Sequence, residues 1–374
     1  MSATLEKLAQ ADQLRRLEAP DGVDLNSNDY LGLARDSRLR RAIAQAIAAA
    51  ERVGGTASRL LSGHDAAWEA LERQFAAFVG AEAALYFTSG YAANLGLLTA
   101  LLGPDDIVFS DAANHASLID GLRLAGVRKV VYPHGDMAAL EHLLAAHAAE
   151  PGTRVIVTES IFSMDGDAAP FDALARLAER WGAALVVDEA HALGVLGPGG
   201  RGLLAESPAR ACTIAAVYTC GKALGSAGAF VCGSRLLIEF LINRARPFIF
   251  STAAPPYLAA QIAAALELAA AAEAERRWLA EAAAWLRAEL RAARLDVLPG
   301  PSPIVPVILG SNRRAVAFAA ALQQRGFWVR PIRPPTVPPG TARVRLSLTA
   351  ALDRATLERL AAACREAAGE LDAR

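Results

Sequence analysis

Two hydrophobic periodicities alternate along residues 37–245. Apolar residues recur every three or four positions in helix-like segments at 39–53, 66–79, 92–101, 138–147 and 171–181. Short β-rich runs alternate with these segments, at 107–110, 128–132, 155–158, 184–187, 214–218 and 229–231. This alternation is typical of α/β proteins, so we predict a large domain with a mostly parallel sheet and helices on both faces.

The pattern changes after an alanine-rich helical region at about 256–296. Strand-like runs at 304–309, 327–331 and 344–348 alternate with helical segments at 314–325 and 355–371, which predicts a smaller α+β domain. The pattern of residues 1–20 predicts a short amphipathic helix, which is followed by an extended segment at 23–26 and a loop at 28–33. We therefore expect an N-terminal helix and extended segment (1–36), a large domain (37–255), and a linking helix with a small C-terminal domain (256–374).

Composition favours a soluble globular protein. Hydrophobic residues make up 53% of the 374 positions and charged residues 21%, enough apolar sequence for two packed cores. The most apolar stretch, at 258–272, is interrupted by Gln261 and Glu267, so it predicts a core helix and not a membrane span. The net charge of −1 gives no reason to expect nucleic-acid binding. The four cysteines lack metal-site spacing and no signal-peptide core is present, so we expect a cytoplasmic protein without a bound metal.

Chemically capable side chains follow several of the predicted strands. In open α/β sheets, ligands bind outside the carboxyl ends of the strands. The residues at these ends are Asn114 and His115, the segments 159–165 and 188–191, and the segment 219–222. We therefore expect the functional site at this edge of the sheet.

Asp188, His191 and Lys222 form the most specific combination among them. Taken singly, Asp188 could cap a helix, His191 could be a hydrogen-bonded loop residue and Lys222 could be solvated. Together, with Lys222 flanked by glycine and small residues, they favour a pyridoxal-phosphate site. The cofactor needs a lysine whose amine is neutral and desolvated. A buried carboxylate such as Asp188 stabilises the protonated pyridine nitrogen, and His191 can reach the phenolic oxygen of the ring.

Two further features fit such a cofactor less specifically. His115, after the run 107–110, could stack on the ring, although it could also be an ordinary hydrogen-bonded loop histidine. The small-residue turn at 88–94 opens a helix, where free backbone N–H groups bind phosphate well. A serine and a glycine before a helix are also ordinary capping residues, so the turn alone is weak support.

The chain resembles the α-oxoamine synthases in motifs that run in order along nearly its whole length. The matching motifs are NSNDYLGL at 26–33, GGTASR at 54–59, SGH at 62–64, FTSGY at 87–91, NHASL at 114–118, TESIFSMDGD at 158–167, DEAH at 188–191, GPGGRG at 197–202, TCGK at 219–222, IFST at 249–252, IRPPTVP at 332–338 and ARVRLSLTA at 342–350. The resemblance implies a fold type I pyridoxal-phosphate enzyme that works as a homodimer with its active site at the subunit interface.

Carried over position by position, the resemblance implies catalytic roles for three residues. Lys222 holds the cofactor covalently, Asp188 pairs with the pyridine nitrogen, and His115 stacks on the ring. Among the remaining cofactor-binding residues, His191 and Ser163 contact the phenolic oxygen of the ring. Gly90, Tyr91 and Thr219 bind the phosphate, and Ser251 and Thr252 of the partner subunit reach the same phosphate.

The resemblance also implies a set of substrate-binding residues. Asn28 and Arg345 match positions that bind the amino-acid carboxylate, whereas Arg15, Arg333 and Thr336 match positions along the acyl substrate; His115 also belongs to the substrate-binding residues. From the residues alone, Arg15 could simply be solvated on its helix. Arg343 and Arg345 lie on one face of a strand, so either could form a surface salt bridge instead.

Among the α-oxoamine synthases, the resemblance is closest to the members that serve biotin synthesis. Those members condense L-alanine with a pimeloyl group, carried by CoA or by an acyl carrier protein, to give 8-amino-7-oxononanoate and CO2. Close alternatives are the members that use glycine or serine, such as 2-amino-3-ketobutyrate CoA ligase, 5-aminolevulinate synthase and serine palmitoyltransferase. A plain aminotransferase and a non-catalytic partner subunit are the alternatives from other classes.

Overall fold

A computed structural model describes residues 1–372 of the chain. The helices are α1 Ser2–Gln10, α2 Ser37–Ala49, α3 Ala66–Val79, α4 Gly90–Leu101, α5 Ala116–Ala125, α6 Met137–Ala146, α7 Phe171–Trp181, α8 Arg235–Arg244, α9 Arg246–Ile249, α10 Pro256–Ala270, α11 Glu273–Ala292, α12 Asn312–Gln324 and α13 Arg354–Asp372. The strands are β1 Val23–Asp24, β2 Ala83–Phe87, β3 Ile107–Asp111, β4 Arg128–Tyr132, β5 Arg154–Glu159, β6 Ala183–Asp188, β7 Thr213–Thr219, β8 Ala229–Gly233, β9 Asp296–Val297, β10 Ile304–Gly310, β11 Phe327–Trp328, β12 Pro331–Ile332 and β13 Ala342–Ser347.

These elements form two compact units. The large unit holds residues 31–162 and 168–273, and the small unit holds residues 1–30, 163–167 and 274–372. The domain boundaries expected from the sequence, at residues 36 and 255, stay predictions.

A seven-stranded sheet forms the centre of the large unit. Its strand order is β2-β8-β7-β6-β5-β3-β4, and β8 runs in the opposite direction to the other six strands. The strands β5 and β6 are buried along almost their whole length because helices cover a parallel sheet on both faces. The predicted α/β class with a mostly parallel sheet is therefore confirmed. Strand β2 was not predicted, since its start, Ala83-Ala84, lacks the β-branched residues that mark the other strands.

The register of the sheet aligns the ends of the central strands. Glu159 at the end of β5 pairs with Asp188 at the end of β6, and Asp188 pairs with Val217 of β7. Backbone hydrogen bonds continue past the strand ends, from Ser160 N to Asp188 O at 2.9 Å and from Glu189 N to Val217 O at 2.7 Å. The polar residues that follow these strands are therefore held side by side.

The small unit contains an antiparallel sheet in the order β12-β13-β10-β9 and a separate parallel pair, β1 with β11. Helix α12 packs against β13 and α13, and buries Phe318 and Leu322 completely. The predicted strand at 327–331 is in fact two short strands, β11 and β12, with Val329 and Arg330 between them. Proline at 331 lacks the N–H that a continuous central strand would use, which explains the break.

The N-terminal helix is shorter than the sequence predicted. Helix α1 ends at Gln10, and Asp12 has a left-handed backbone with a φ of 53° that ends the helical path. None of the residues of α1 is buried, so tertiary packing does not extend it. The expectation that Arg15 lies on a helix is therefore wrong.

The alanine-rich region forms α10 and α11. Ala259, Ile262 and Leu266 of α10 are buried, as expected for a core helix. Within residues 1–372, no single helix has both the length and the apolar character to cross a membrane. The helices Pro256–Ala270 and Glu273–Ala292 have enough length and apolar composition only when they are counted together, and they are bent by 68° where they meet.

Candidate active site

Asp188 is the buried carboxylate at the centre of the site in the large unit. Its side chain is 5% exposed. Oδ1 accepts a hydrogen bond from Ala190 N at 2.9 Å, and Oδ2 accepts one from Asn94 Nδ2 at 2.7 Å. These two bonds hold the carboxylate in place at the end of β6.

His115 is the N-cap residue of α5, just after β3. Its Nδ1 lies 2.8 Å from Ser117 Oγ and 3.2 Å from Ser117 N. His115 is exposed to solvent, but the atoms around its imidazole partly desolvate the ring, and this lowers its pKa. The negative charge of Asp188 raises the pKa, whereas the positive charge of Lys222 lowers it further. His115 N donates a hydrogen bond to Glu159 Oε1, and Glu159 is paired with Asp188 in the register of the sheet, so His115 lies close to Asp188.

Lys222 lies in the turn that follows β7 and is partly buried. The turn is held by backbone hydrogen bonds from Gly225 N to Lys222 O and from Ser226 N to Cys220 O, each 2.9 Å long. Cys220 and Ala223 are buried, and Cys220 packs into the core. The lysine is therefore carried by an ordered turn, in the partly desolvated position that the predicted cofactor bond needs.

Glu159 is a fourth ionisable group of this cluster, for which the sequence suggested no role. It is 2% exposed, and its Oε1 accepts a hydrogen bond from His115 N at 2.5 Å. Burial raises its pKa well above the usual range, the charge of Asp188 adds to the rise, and the charge of Lys222 opposes it. The sequence feature that could have indicated a role for Glu159 is its position as a carboxylate at the end of a largely apolar strand.

The first turn of α4 and Thr219 form a cradle between the helix and the end of β7. Ser89 caps the helix by accepting a hydrogen bond from Ala92 N at 3.1 Å, while the first N–H groups of a helix have no intrahelical partner. A Cβ on Gly90 would come within 2.6 Å of Thr219 Cγ2, so glycine is what allows the helix to approach β7. The role of Gly90, Tyr91 and Thr219 in binding a phosphate group stays a prediction.

The other predicted cofactor residues lie in three places. His191 is 4% exposed and follows β6 in the large unit. Ser251 and Thr252, partly and largely exposed, precede Ala253, whose N donates to Ala57 O at 2.8 Å. Ser163 belongs to the small unit. Their roles toward the cofactor stay predictions.

Arg345 and Arg343 of β13 differ in their partners. Arg345 is 9% exposed and donates to Ser163 O at 3.0 Å, Asn26 O at 3.3 Å and Asn28 Oδ1 at 2.9 Å. Among residues 1–372 it has no carboxylate partner, whereas Arg343 forms an ion pair with Asp165. The neutral acceptors leave the charge of Arg345 without a counter-charge, so the geometry favours Arg345 over Arg343 as the ligand of a carboxylate.

The predicted acyl-side residues come together within the small unit. Arg15 Nη2 donates to Thr336 Oγ1 at 3.3 Å, and Arg333 donates to Asp12 O. Burial lowers the pKa of Arg333, and the nearby charges of Arg15 and Arg330 lower it further. This cluster of positive charge suits an anionic group of a substrate.

Glu189 is a buried carboxyl that the sequence also left without a role. It accepts hydrogen bonds from Ser160 Oγ at 2.9 Å, Leu203 N at 3.1 Å and Leu204 N at 2.5 Å. The last two bonds tie the residues that follow the glycine-rich segment 197–202 to the end of β6. Burial raises its pKa to about 7, although these bonds act against the rise.

We expect Glu189→Gln to flatten the dependence of stability on pH. A carboxyl whose pKa rises from 4.5 to about 7 on folding makes the wild type lose stability as the pH rises through that window. At about 1.4 kcal/mol per pKa unit, the wild type should lose about 2–3 kcal/mol more than the uncharged variant between pH 5 and pH 8. Urea unfolding of both proteins at the two pH values measures this difference. Parallel pH curves would contradict the assignment.

Comparison with known proteins gives one consistent result. The aminotransferase class I and II family model matches residues 20–363. The chain is 49% identical to the 8-amino-7-oxononanoate synthase of Aromatoleum aromaticum, over 93% of this chain and 89% of that protein. A serine palmitoyltransferase from S. paucimobilis, solved with a PLP–myriocin adduct, superposes with a TM-score of 0.91 at 27% identity, covering 100% of this chain and 98% of that one. The 8-amino-7-oxononanoate synthase of Francisella tularensis gives a TM-score of 0.80 at 27% identity, covering 94% and 99%.

Proposed function

Because the chain belongs to the aminotransferase class I and II family, and within it to the α-oxoamine synthases, we propose that it condenses L-alanine with a pimeloyl thioester. It is a pyridoxal-phosphate-dependent acyltransferase of fold type I, and the products are 8-amino-7-oxononanoate, CO2 and the free thiol. The observation that carries the proposal is that His115, Asp188 and Lys222 lie at or just after the ends of β3, β6 and β7 at one edge of the large sheet, where His115 N donates to Glu159, the register partner of Asp188.

The described residues suit pyridoxal phosphate at three of its chemical groups. The cradle of Gly90, Tyr91 and Thr219 suits the phosphate, the carboxylate of Asp188 suits the pyridine nitrogen, and the amine of Lys222 suits the aldehyde. When bound, the cofactor withdraws electrons from the substrate α-carbon, which allows a carbanion to form there.

Each residue then has a defined task. Arg345 binds the carboxylate of alanine and thereby orients the Cα–H bond. The amine of Lys222, released when the amino group of alanine takes its place, would take the α-proton. The α-carbon then attacks the thioester carbonyl, so the C–S bond breaks and the thiol leaves. Loss of CO2 and return of a proton to the α-carbon complete the reaction. Asp188 holds the positive charge of the ring nitrogen throughout.

The acyl-side cluster, formed by Arg15, Arg333 and Thr336, is suited to an acyl group that ends in a second carboxylate. Arg15 and Arg333 supply two guanidinium groups close to the hydroxyl of Thr336. A pimeloyl chain ends in a carboxylate, which such a pair binds well, whereas an acetyl or palmitoyl group offers no charge there. The cluster therefore agrees with pimeloyl as the acyl group, on either CoA or a carrier protein.

Product analysis tests the proposed function. Alanine, glycine and serine are each incubated with pimeloyl, acetyl, succinyl and palmitoyl thioesters, and the product mass and the released CO2 are measured. We expect 8-amino-7-oxononanoate, with one CO2 per product, from alanine and pimeloyl thioester. A higher kcat/KM for another pair would assign the chain to another α-oxoamine synthase activity.

Replacing Arg345 by lysine should raise the KM for L-alanine about 10- to 100-fold, with a smaller change in kcat. Lysine keeps the charge but loses the planar fork, and hydrogen bonds to charged groups contribute about 1.5–3 kcal/mol. Steady-state kinetics at saturating thioester measures the effect. Arg343→Lys is the matched control, because Arg343 already pairs with Asp165. Equal KM changes in both variants would refute the assignment of Arg345.

The proposed site also draws on a second copy of the chain, through Ser251 and Thr252. Mixing Lys222→Ala subunits with subunits that carry Ser251→Ala and Thr252→Ala tests this. If each site takes Lys222 from one subunit and the two hydroxyls from the other, random reassociation leaves about a quarter of the sites intact. We expect the mixture to exceed the summed activities of the two parent variants; activity equal to that sum would mean that each site is complete in one subunit.

A further inference from the structure

Asn94 and Ser117 form a hydrogen-bonded connection between Asp188 and His115. Asn94 lies in α4 and Ser117 in α5, and both side chains are at most 1% exposed. Asn94 Nδ2 lies 2.7 Å from Asp188 Oδ2 and 2.9 Å from Ser117 Oγ. Ser117 Oγ in turn lies 2.8 Å from His115 Nδ1. Neither residue has a role in the proposed reaction so far.

The direction of the first two hydrogen bonds follows from the chemistry of the amide. An ionised carboxylate only accepts hydrogen bonds, so the group of Asn94 that faces Asp188 is the NH2 group. The same NH2 group supplies its second proton to Ser117 Oγ. Asn94 Oδ1 is left without a hydrogen-bond partner among residues 1–372. A buried acceptor without a partner costs about 1–3 kcal/mol, and the opposite orientation would bring two acceptors together at Asp188.

The remaining hydrogen bond fixes the protonation of His115. Since Ser117 Oγ accepts from Asn94, its own proton is free to be donated to His115 Nδ1. Ser117 N donates to the same nitrogen at 3.2 Å. Nδ1 thus receives two donors and must carry a lone pair, so the proton of the neutral ring is on Nε2.

We propose that Asn94 and Ser117 are positioning residues that transmit the ionised state of Asp188 to the tautomer of His115. His115 therefore faces the reacting groups with an N–H donor at Nε2. This inference rests on the proposed function, in which Asp188 and His115 contact the cofactor. It leaves Lys222 as the base for the α-proton, because a ring with Nε2–H and an occupied Nδ1 has no lone pair to offer there.

The tautomer is measured by ¹⁵N NMR of the full chain labelled on histidine, with and without pyridoxal phosphate and without substrate. The signals of His115 are identified by their loss in His115→Gln, among six histidines. In the wild type we expect the pattern of a neutral ring with a bare Nδ1 and a protonated Nε2. A proton on Nδ1 in the wild type would overturn the proposal.

Asn94→Asp gives the sharpest change because it reverses the connection. The new carboxylate turns an acceptor toward Ser117, so the serine hydroxyl donates to that carboxylate and its oxygen faces Nδ1 of His115. We expect the ratio of the Nε2–H to the Nδ1–H form to fall at least about tenfold, counting one lost and one reversed hydrogen bond. Unchanged His115 signals in the folded variant would overturn the proposal.

Ser117→Ala and Ser117→Thr form a second, milder pair. Loss of the hydroxyl should lower the same ratio about two- to tenfold, and threonine should restore it. Ser302→Ala is the control, because Ser302 is equally buried and donates to Gly166 O at 2.7 Å in the small unit, so its loss should leave the His115 signals in place. A shift of equal size in Ser302→Ala, or no rescue by threonine, would contradict the proposal. The readout needs no turnover, so failure of the proposed substrates and failure of this connection are told apart.

Discussion

Lys222→Ala should lower kcat at least about 10³-fold while the protein still folds and binds pyridoxal phosphate without a covalent bond. The expected loss combines a missing proton acceptor, which alone contributes about 10²–10⁴, with the missing attachment of the cofactor. Initial rates with alanine and pimeloyl thioester measure the loss, and the absorption band of the lysine-bound cofactor should be absent.

Lys129→Ala is the matched control for this variant. The chain contains three lysines, Lys7, Lys129 and Lys222, and Lys129 is exposed on β4. Its replacement should change kcat less than about twofold, as expected for a surface position. Wild-type activity in Lys222→Ala would remove the basis of the proposed mechanism.

Asp188→Asn should lower kcat about 10²- to 10³-fold with little change in the KM for alanine. Asparagine keeps the shape, and its oxygen can still accept from Ala190 N, but it cannot hold the positive charge of the ring nitrogen. The loss therefore falls on the step in which charge develops at the α-carbon. Exchange of the α-proton of alanine in heavy water, followed by NMR without thioester, measures that step directly.

Asp111→Asn serves as the control for Asp188→Asn. Asp111 is also a buried carboxylate at a strand end, 3% exposed, but it accepts from Gly135 N at 3.1 Å and lies 2.8 Å from His134 Nδ1. Both variants lose one buried charge, so a general loss of stability would affect them alike. An unchanged exchange rate in Asp188→Asn would show that its carboxylate does not act on the cofactor.

The sequence predicts the parts of this protein that depend on local pattern. Alternating periodicities predicted the α/β sheet, and the rule that ligands bind beyond parallel strands directed attention to His115, Asp188 and Lys222. The N-terminal helix was extended too far because an amphipathic pattern does not reveal that α1 buries no residue. The left-handed backbone at Asp12 has no sequence signal comparable to glycine.

The unpredicted parts of the site depend on partners distant in the chain. Glu159 acquires its raised pKa from burial beside Asp188. Asn94 forms hydrogen bonds with Ser117, which is 23 positions later in the chain, and with Asp188, which is 94 positions later. A polar residue inside the otherwise apolar helix α4 was a signal, but its partners required the fold. Likewise the spacing of Arg343 and Arg345 did not separate them, and only the family resemblance favoured Arg345. The ion pair between Arg343 and Asp165 gives a physical difference that required the fold.

The central claim is that one amine, at position 222, carries the cofactor. Borohydride reduction of the protein loaded with pyridoxal phosphate makes that attachment permanent, and peptide mass spectrometry then locates it among the three lysines. We predict a phosphopyridoxyl group on the peptide that contains Lys222, at a stoichiometry near one per chain. A label on Lys7 or Lys129, or an unlabelled Lys222, would contradict the account.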